Sequence, residues 1–381
     1  MNFNRRGFLG AAALLTVSPV LFAQAATDRR FVFIIQRGAA DGLNTVIPYA
    51  EPAYASLRGA LAIDASSVLK LDGLFALHPS LTKLRGLYAD GHASFFHAVA
   101  SPYRDRSHFD GQNVLETGGS APYQLKDGWM NRLVGMLPRS SREAIAFSPA
   151  VPMALRGPVE VTTYAPSTLL QASDDLLLRV KDLYAGDAQL HSIWSSALEA
   201  RGMAGGMGRV ANRRDATALG RMAAGFLASA DGPRLAMIET GGWDTHSGQA
   251  GRLDTQLRGL DGMIAGLHEG LGSAWDKTVI LVATEFGRTV NANGTGGTDH
   301  GTGAAAILVG GAVQGGRVLA DWPGLAPANL LEGRDLKPTL ELDVLIASAC
   351  AETFLLEPEG ATRILFPNSG PRKLVQRLLR A

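Results

Sequence analysis

Cysteine is nearly absent. The 381-residue chain has one, Cys350, so no intrachain disulfide can brace the fold, and a chain of this length can instead bury a large core. An excess of either charge is also missing. Lys and Arg number 36 against 35 Asp and Glu, a formal net charge of +1, and nothing in that balance recommends nucleic acid as a partner. There is no apolar run of the roughly 20 residues that a bilayer crossing needs. The nearest candidate, residues 11–22, is short and interrupted by Pro19, so no stable membrane anchor is expected. Internal repeats and low-complexity tracts are absent too.

What is present begins at the N-terminus. Asn4-Arg5-Arg6-Gly7-Phe8-Leu9 precedes that short apolar stretch, and Ala23-Gln24-Ala25 follows it. A charged segment, an apolar segment and an A-x-A site describe a secretory signal peptide. The paired arginines before Phe-Leu resemble the twin-arginine export signal, a receptor-read address. The expectation is a signal peptide over residues 1–25, cleaved near Ala25, with the twin-arginine translocase as partner during export. The mature chain, residues 26–381, is expected to be one domain in the periplasm or secreted. Its formal charge falls to −1 once Arg5 and Arg6 leave. That route carries folded proteins, which implies that any metal is loaded before export.

Residues 31–35 (Phe-Val-Phe-Ile-Ile) form a continuous β-branched and aromatic run, suited to a central strand covered on both faces. Ser80 can cap a helix carrying Leu81, Leu84 and Leu87, and residues 94–100 read as a second strand. Short strand-like pieces lie near 144–147 and 159–164, helical stretches near 174–184 and 187–200, and a Gly- and Met-rich loop at 201–208. Residues 235–239, 279–284 and 304–309 read as strands. Between the first two, Leu253, Leu257, Leu260, Ile264, Leu267 and Leu271 line one face of a long helix. Cys350 falls in a run, residues 340–354, that reads as a buried helix, and behaves as a small core hydrophobe. Strands alternating with amphipathic helices predict an α/β fold, a mostly parallel central sheet with helices on both faces.

Polar words cluster where those strands end. Asp244 and His246 stand in Trp-Asp-Thr-His, Glu285 and Arg288 in Thr-Glu-Phe-Gly-Arg, and Asp299 and His300 in Gly-Thr-Asp-His-Gly. Loops at the carboxyl ends of neighbouring strands converge on one crevice. Imidazole with carboxylate suits zinc, manganese or iron better than calcium. Each word also has a purely structural reading: Asp244 capping the following helix, Glu285 paired with Arg288, Asp299 bonding its own backbone.

The first half adds Arg37 and Asp41 after the first strand, and Arg106-Ser107-His108 after the second. Ser107 is the candidate nucleophile, because a serine hydroxyl needs a base or a metal to ionise at neutral pH; Thr45 is held in reserve. Arg37, Arg106 and Arg288 can clamp an oxyanion. The alternative is a surface loop whose charges pair among themselves. His78, His92, His97, His191 and His268 lack such company and read as structural or exposed.

The order of these words, from Phe-Val-Phe-Ile-Ile-Gln-Arg-Gly-Ala-Ala-Asp-Gly-Leu-Asn-Thr through Ser-His-Phe-Asp to Gly-Thr-Asp-His-Gly, resembles the DUF1501 family across the mature chain. That family is similar in turn to the alkaline phosphatase and sulfatase superfamily. The resemblance implies an alkaline-phosphatase-like sandwich. It makes Asp41 the first-strand metal aspartate, Ser107 the nucleophile, Asp244 and His246 a ligand pair, and His300 the histidine of the superfamily's H-T-G word. Glu285 and Phe286 stand where the superfamily has Asp-His, Asp41 comes later after its strand, and the D-x-H spacing is short. These departures imply a single metal, or a site kept for binding.

The expected function is an exported metal-dependent hydrolase of small phosphate or sulfate esters. Asp41, Asp244, His246, Glu285, Asp299 and His300 hold zinc or manganese, and Ser107, Arg106, His108, Arg37 and Arg288 do the chemistry. The alternative is an exported binding or assembly protein that keeps the fold and pocket without turnover.

Overall fold

A computed structural model of the chain describes residues 27–138, 143–165, 174–204, 215–370 and 373–380. The expected signal peptide lies outside them. Among the described residues nine strands make one sheet: β1 Arg30–Gln36, β2 Ala93–Ala100, β3 Ala144–Phe147, β4 Thr162–Thr163, β5 Leu235–Thr240, β6 Thr278–Ala283, β7 Ala304–Val309, β8 Arg317–Leu319 and β9 Leu340–Glu341. Their spatial order is β8-β2-β7-β6-β1-β5-β3-β4, with β9 also against β2. Every pairing is parallel except those of β7, which runs against both β6 and β2. The sheet is therefore mostly parallel, as the sequence predicts.

Strand β1 is buried along its whole length. Alternate side chains point to opposite faces of a strand, so Phe31, Phe33 and Ile35 pack in one layer while Val32 and Ile34 pack in the other. The principal helices are α1 Thr82–Ala89, α2 His108–Thr117, α3 Trp129–Met136, α4 Ala216–Ala228, α5 Gln249–Leu271, α6 Leu342–Phe354 and α7 Pro358–Leu365. The layer with Phe31 holds α3, α6 and α7, and the layer with Val32 holds α1, α4 and α5. Helices thus cover both faces. A small sheet of Val46–Ile47, Leu69–Lys70 and Ala76–Leu77 stands apart.

Local chemistry explains the boundaries. The predicted leucine face of α5 is buried from Leu253 to Leu271. Helix α4 crosses it closely, because a side chain at Gly220 or Gly266 would strike backbone of the other helix. Ser80 does not cap α1 as expected; its hydroxyl bonds Asp254. The buried carboxylate of Asp261, on α5, instead accepts from the free amides of Lys83 and Leu84 at 3.0 and 2.9 Å, which satisfies the helix start from across the interface. Of the strand expected near 159–164 only β4 forms. The helical stretches appear as Asp174–Leu183 and Ala188–Ala204, so 201–204 belong to a helix and the rest of the expected Gly- and Met-rich loop lies outside the described residues. Residues 340–341 pair as β9 ahead of α6, where Cys350 is fully buried. Among the described residues no helix is long and apolar enough to cross a membrane.

Candidate metal centre

The sheet topology brings the polar words together. Strands β1, β2, β5 and β6 all end at one edge, and the segments after them carry Arg37, His108, Asp244 and Glu285. Strand β7 runs the other way, so the loop entering it, with Asp299 and His300, opens on that same edge. Backbone bonds fix the loops to one another. Gly287–Thr289 and Asp299–Thr302 form a short antiparallel ribbon that sets Arg288 beside His300. Gly38 takes φ +119°, where a Cβ would lie 2.6 Å from the Asp244 amide; glycine alone permits that approach.

Three side chains from three separate segments meet: one ligand atom each from His108, Asp244 and His300 lie within 4.8 Å of one another, a group able to hold a metal ion. Each is oriented from behind. Helix α2 presents His108, whose Nδ1 donates to Glu285 Oε1 at 2.8 Å. Its Nε2 lies 3.5 Å from Asp244 Oδ2 and is buried without a hydrogen-bond partner. His300 donates from Nδ1 to the Arg106 carbonyl at 2.8 Å, which turns its Nε2 towards Asp244 Oδ1 at 3.3 Å. The Arg288 guanidinium holds that Oδ1 at 2.7 Å. An imidazole lone pair facing a carboxylate is unfavourable unless a cation or proton lies between them. The buried, unpartnered Nε2 of His108, and in both rings an Nδ1 tied to a carboxylate or carbonyl, match the arrangement around metal-ligating histidines.

The electrostatics favour ligation at Asp244 and His300 and a protonated ring at His108. Burial opposes ionisation of Asp244, but bonding and attraction from Arg288 outweigh it and hold the carboxyl below its usual range. Burial pushes His300 down, which favours the neutral imidazole a metal requires. His108 is raised by its bond to Glu285 against the opposing effect of burial. Glu285 is lowered because donation from His108, Gln112 and Gly38 overcomes its desolvation. Phe286 stacks on His108 at 5.1 Å and packs 5.4 Å from His300, closing the group with an apolar wall.

Other sequence-predicted residues fall into place around this group. His246, 43% exposed, sets Nε2 at 3.0 Å from Asp244 Oδ1 and 2.9 Å from His300 Nε2, a third nitrogen and a fourth donor at the mouth. Asp299 lies behind it, 3.2 Å from its Nδ1, and is lowered chiefly by the Asn293 amide. Asp244 caps no helix; Gly248 precedes α5 without a side-chain cap. Ser107 precedes α2, its hydroxyl without a hydrogen bond among the described residues, while its amide donates to the Tyr103 hydroxyl oxygen at 3.1 Å.

Several expected roles are redistributed. Glu285 stands behind His108, its oxygens filled by Gly38, His108, Gln112 and Thr284, so it orients a candidate ligand. It does not pair with Arg288, which goes to Asp244 and Thr298. Asp41 is not among the three: its carboxylate is buried, accepts from the Asn44 amide at 3.1 Å, and is taken by Arg58 and Gln249. Thr45 is buried and donates to the Asp41 carbonyl. His108 has its Nδ1 tied to Glu285, which leaves Nε2 as its one uncommitted ring nitrogen. The arginine clamp does not form. Arg37 is bonded by Glu116 and Glu239, Arg106 by Asp335 and Glu332, and Arg288 by Asp244.

Gln112, Gln249 and Asp335 escaped the sequence reading. Gln112 had a signal, since i and i+4 share a helix face and it follows His108 by four. Asp335 lies in a loop between β8 and β9 that carried no word of its own.

A family model described as "Protein of unknown function (DUF1501)" matches residues 28–356. No curated protein matches the chain. Among solved structures, it is similar to the zinc complex of the C-terminal periplasmic domain of EcEptC from Escherichia coli, at 10% identity over 92% of this chain and 89% of that one, TM-score 0.40. It is similar also to the alkaline phosphatase of the Antarctic bacterium TAB5, at 10% identity, 74% and 91% coverage and TM-score 0.33. The phosphonate monoester hydrolase of Agrobacterium radiobacter shares 13% identity over 91% of this chain and 78% of its own, TM-score 0.35. At such scores these likenesses carry no conclusion about activity or metal.

Proposed function

The chain belongs to the DUF1501 family, and from that membership and the geometry at the sheet edge we propose an exported metal-dependent hydrolase of phosphate or sulfate esters. The observation that carries the reading is the meeting of His108, Asp244 and His300, with a buried His108 Nε2 that has no partner among the described residues. Two imidazoles and a carboxylate suit zinc or manganese, with His246 as a fourth donor. A divalent ion held there supplies Lewis acidity and lowers the pKa of a nearby water or hydroxyl. Glu285, the Arg106 carbonyl and Arg288 keep the three donors aimed. Ser107, whose hydroxyl is uncommitted at the start of α2, is the nucleophile of this reading. Export follows the twin-arginine resemblance of residues 1–25, with the translocase as the partner.

The test is elemental analysis of the purified mature chain, melting with and without chelator, and turnover of aryl phosphates and sulfates. Stoichiometric metal, a melting temperature lowered by chelator, and turnover lost in His300→Ala are expected. Protein without metal, indifferent to chelator, overturns the reading. One observation favours the second reading, a metal-holding binding or assembly protein: Arg37, Arg106 and Arg288 are all engaged by carboxylates and none is left for an ester's oxygens. Bound metal without turnover of either ester class decides for it.

A further inference from the structure

Arg106 adopts φ 62°, in the left-handed region that a residue with a side chain enters only where its surroundings hold it. Its guanidinium supplies the hold. Nε and Nη2 reach Asp335 Oδ2 at 3.1 and 2.9 Å, and Nη2 reaches the exposed Glu332 at 2.7 Å. Asp335 is fully buried and anchored on its own account. The same Oδ2 accepts from Thr302 Oγ1 at 2.8 Å, and Oδ1 accepts from Arg334 Nη1 at 3.0 Å. Arg334 then extends Nη2 to the His300 carbonyl at 2.7 Å.

The unusual backbone of Arg106 has one consequence in the site, the 2.8 Å bond from His300 Nδ1 to its carbonyl. A carbonyl only accepts, so the proton must sit on Nδ1, and the lone pair of the neutral ring on Nε2. Nε2 is the atom that faces Asp244 and His246. We propose that the Arg106–Asp335 ion pair is a positioning clamp that sets the tautomer and orientation of His300. Arg106 thus acts through its main chain, with its side chain as the anchor. The consequence for metal affinity rests on the metal-centre reading above; the tautomer does not.

The test reads the tautomer directly, by nitrogen-15 correlation spectra of the imidazoles in metal-free, nitrogen-15-labelled chain at pH 8, with His300→Gln to assign the signal. In the unaltered protein His300 is protonated at Nδ1. In Arg106→Ala and Asp335→Ala the Nε2-protonated form becomes prominent and zinc dissociates about tenfold more readily, as loss of a ligand's outer partner costs. Glu332→Ala, which removes only the exposed partner of Arg106, leaves both readouts unchanged. Arg106→Lys, which restores a charge but not the fork, recovers part of the effect. Circular dichroism identifies the folded variants, and Arg106→Ala, at a partly exposed side chain, serves if the buried Asp335→Ala does not fold. An Nδ1 proton that persists in a folded clamp variant, or an Nε2 proton in the unaltered chain, overturns the proposal. A tautomer that follows the clamp in a protein that binds no zinc upholds it and overturns the metal reading instead.

Discussion

Glu285 accepts the Nδ1 proton of His108 at 2.8 Å, and that bond decides which edge of the imidazole looks into the site. Glu285 is fully buried and exists there as an anion because four donors surround it. Glu285→Gln keeps an acceptor for His108 but gives up the charge and turns an amide towards one of the other donors. The expected outcome is zinc affinity reduced about tenfold to a hundredfold, measured by titration against a competing chelator. An affinity within twofold of the unaltered chain contradicts this role.

Gly38 joins two parts of the same arrangement, donating its amide to Glu285 at 2.8 Å and lying against the Asp244 backbone. Alanine there adds a methyl 2.6 Å from the Asp244 nitrogen, at φ +119°. No flexible side chain is available to yield. Gly38→Ala is expected to lose about 2 kcal/mol or more of stability, the range for strain at a special backbone position, read from the urea midpoint. Zinc affinity falls with it, since Asp244 has to move. A loss below about 0.5 kcal/mol, the scale of an ordinary surface change, means the loop adjusts freely.

Much of this fold was legible because buried strands leave continuous apolar runs. Residues 144–147 and 304–309 were read with their observed limits, and β1, β2, β5 and β6 to within a residue or two at each end. The direction of β7 was not legible, since a fully buried strand reads alike in both directions, yet it places His300 at the site edge. Residue type and loop position likewise pointed to Asp244, His246, Glu285 and His300 without saying which face the cavity and which stand behind. That distinction depends on which carboxylate each nitrogen of His108 meets, a matter of angles between elements far apart in sequence. The arginines show the same limit. Arg37 and Arg106 look like substrate groups until Glu116, Glu239 and Asp335 arrive from distant segments and occupy them.

Asp41 supplies a sharp contrast between a ligand and a scaffold residue. Its partner Arg58 is fully buried, with further bonds to Asn44 Oδ1 at 3.1 Å and to the carbonyls of Thr289 and Val290 at 3.1 and 3.3 Å. Removing one member of a buried pair strands the other charge, at a cost of about 3–5 kcal/mol. Asp41→Asn is therefore expected to lower the melting temperature sharply, while the folded fraction still holds metal in the original ratio. Asp41→Asn with Arg58→Met is expected to recover part of the loss, because no charge then remains buried. Metal lost from folded Asp41→Asn protein restores Asp41 to the ligand set.

The pH dependence of stability should be dominated between neutrality and pH 5 by a histidine away from the site. His97 is fully buried on β2, stacked on Phe75 and edge-on to Trp322. Its Nε2 donates to the Val46 carbonyl at 2.9 Å, and its Nδ1 accepts from the Ala98 amide at 2.8 Å. A second proton has no place to go, since the Ala98 N–H already points at Nδ1. Burial accordingly pushes His97 down to about 4, against about 6.5 in an unfolded chain. Between those values the unfolded state binds the extra proton and the folded state does not. Stability is full above the unfolded value and falls as pH drops towards the folded one, by on the order of 3 kcal/mol over the whole interval. Carboxylates that are lowered by folding, Glu285 among them, add their loss only below their unfolded value near 4.5, so pH 5 to 7 belongs mainly to histidine. His97→Gln keeps a donor for Val46 and cannot titrate. Urea unfolding of both proteins at pH 5 and 7 should show the difference between them shrinking towards the acid side. A gap that is constant with pH shows that His97 does not govern this window.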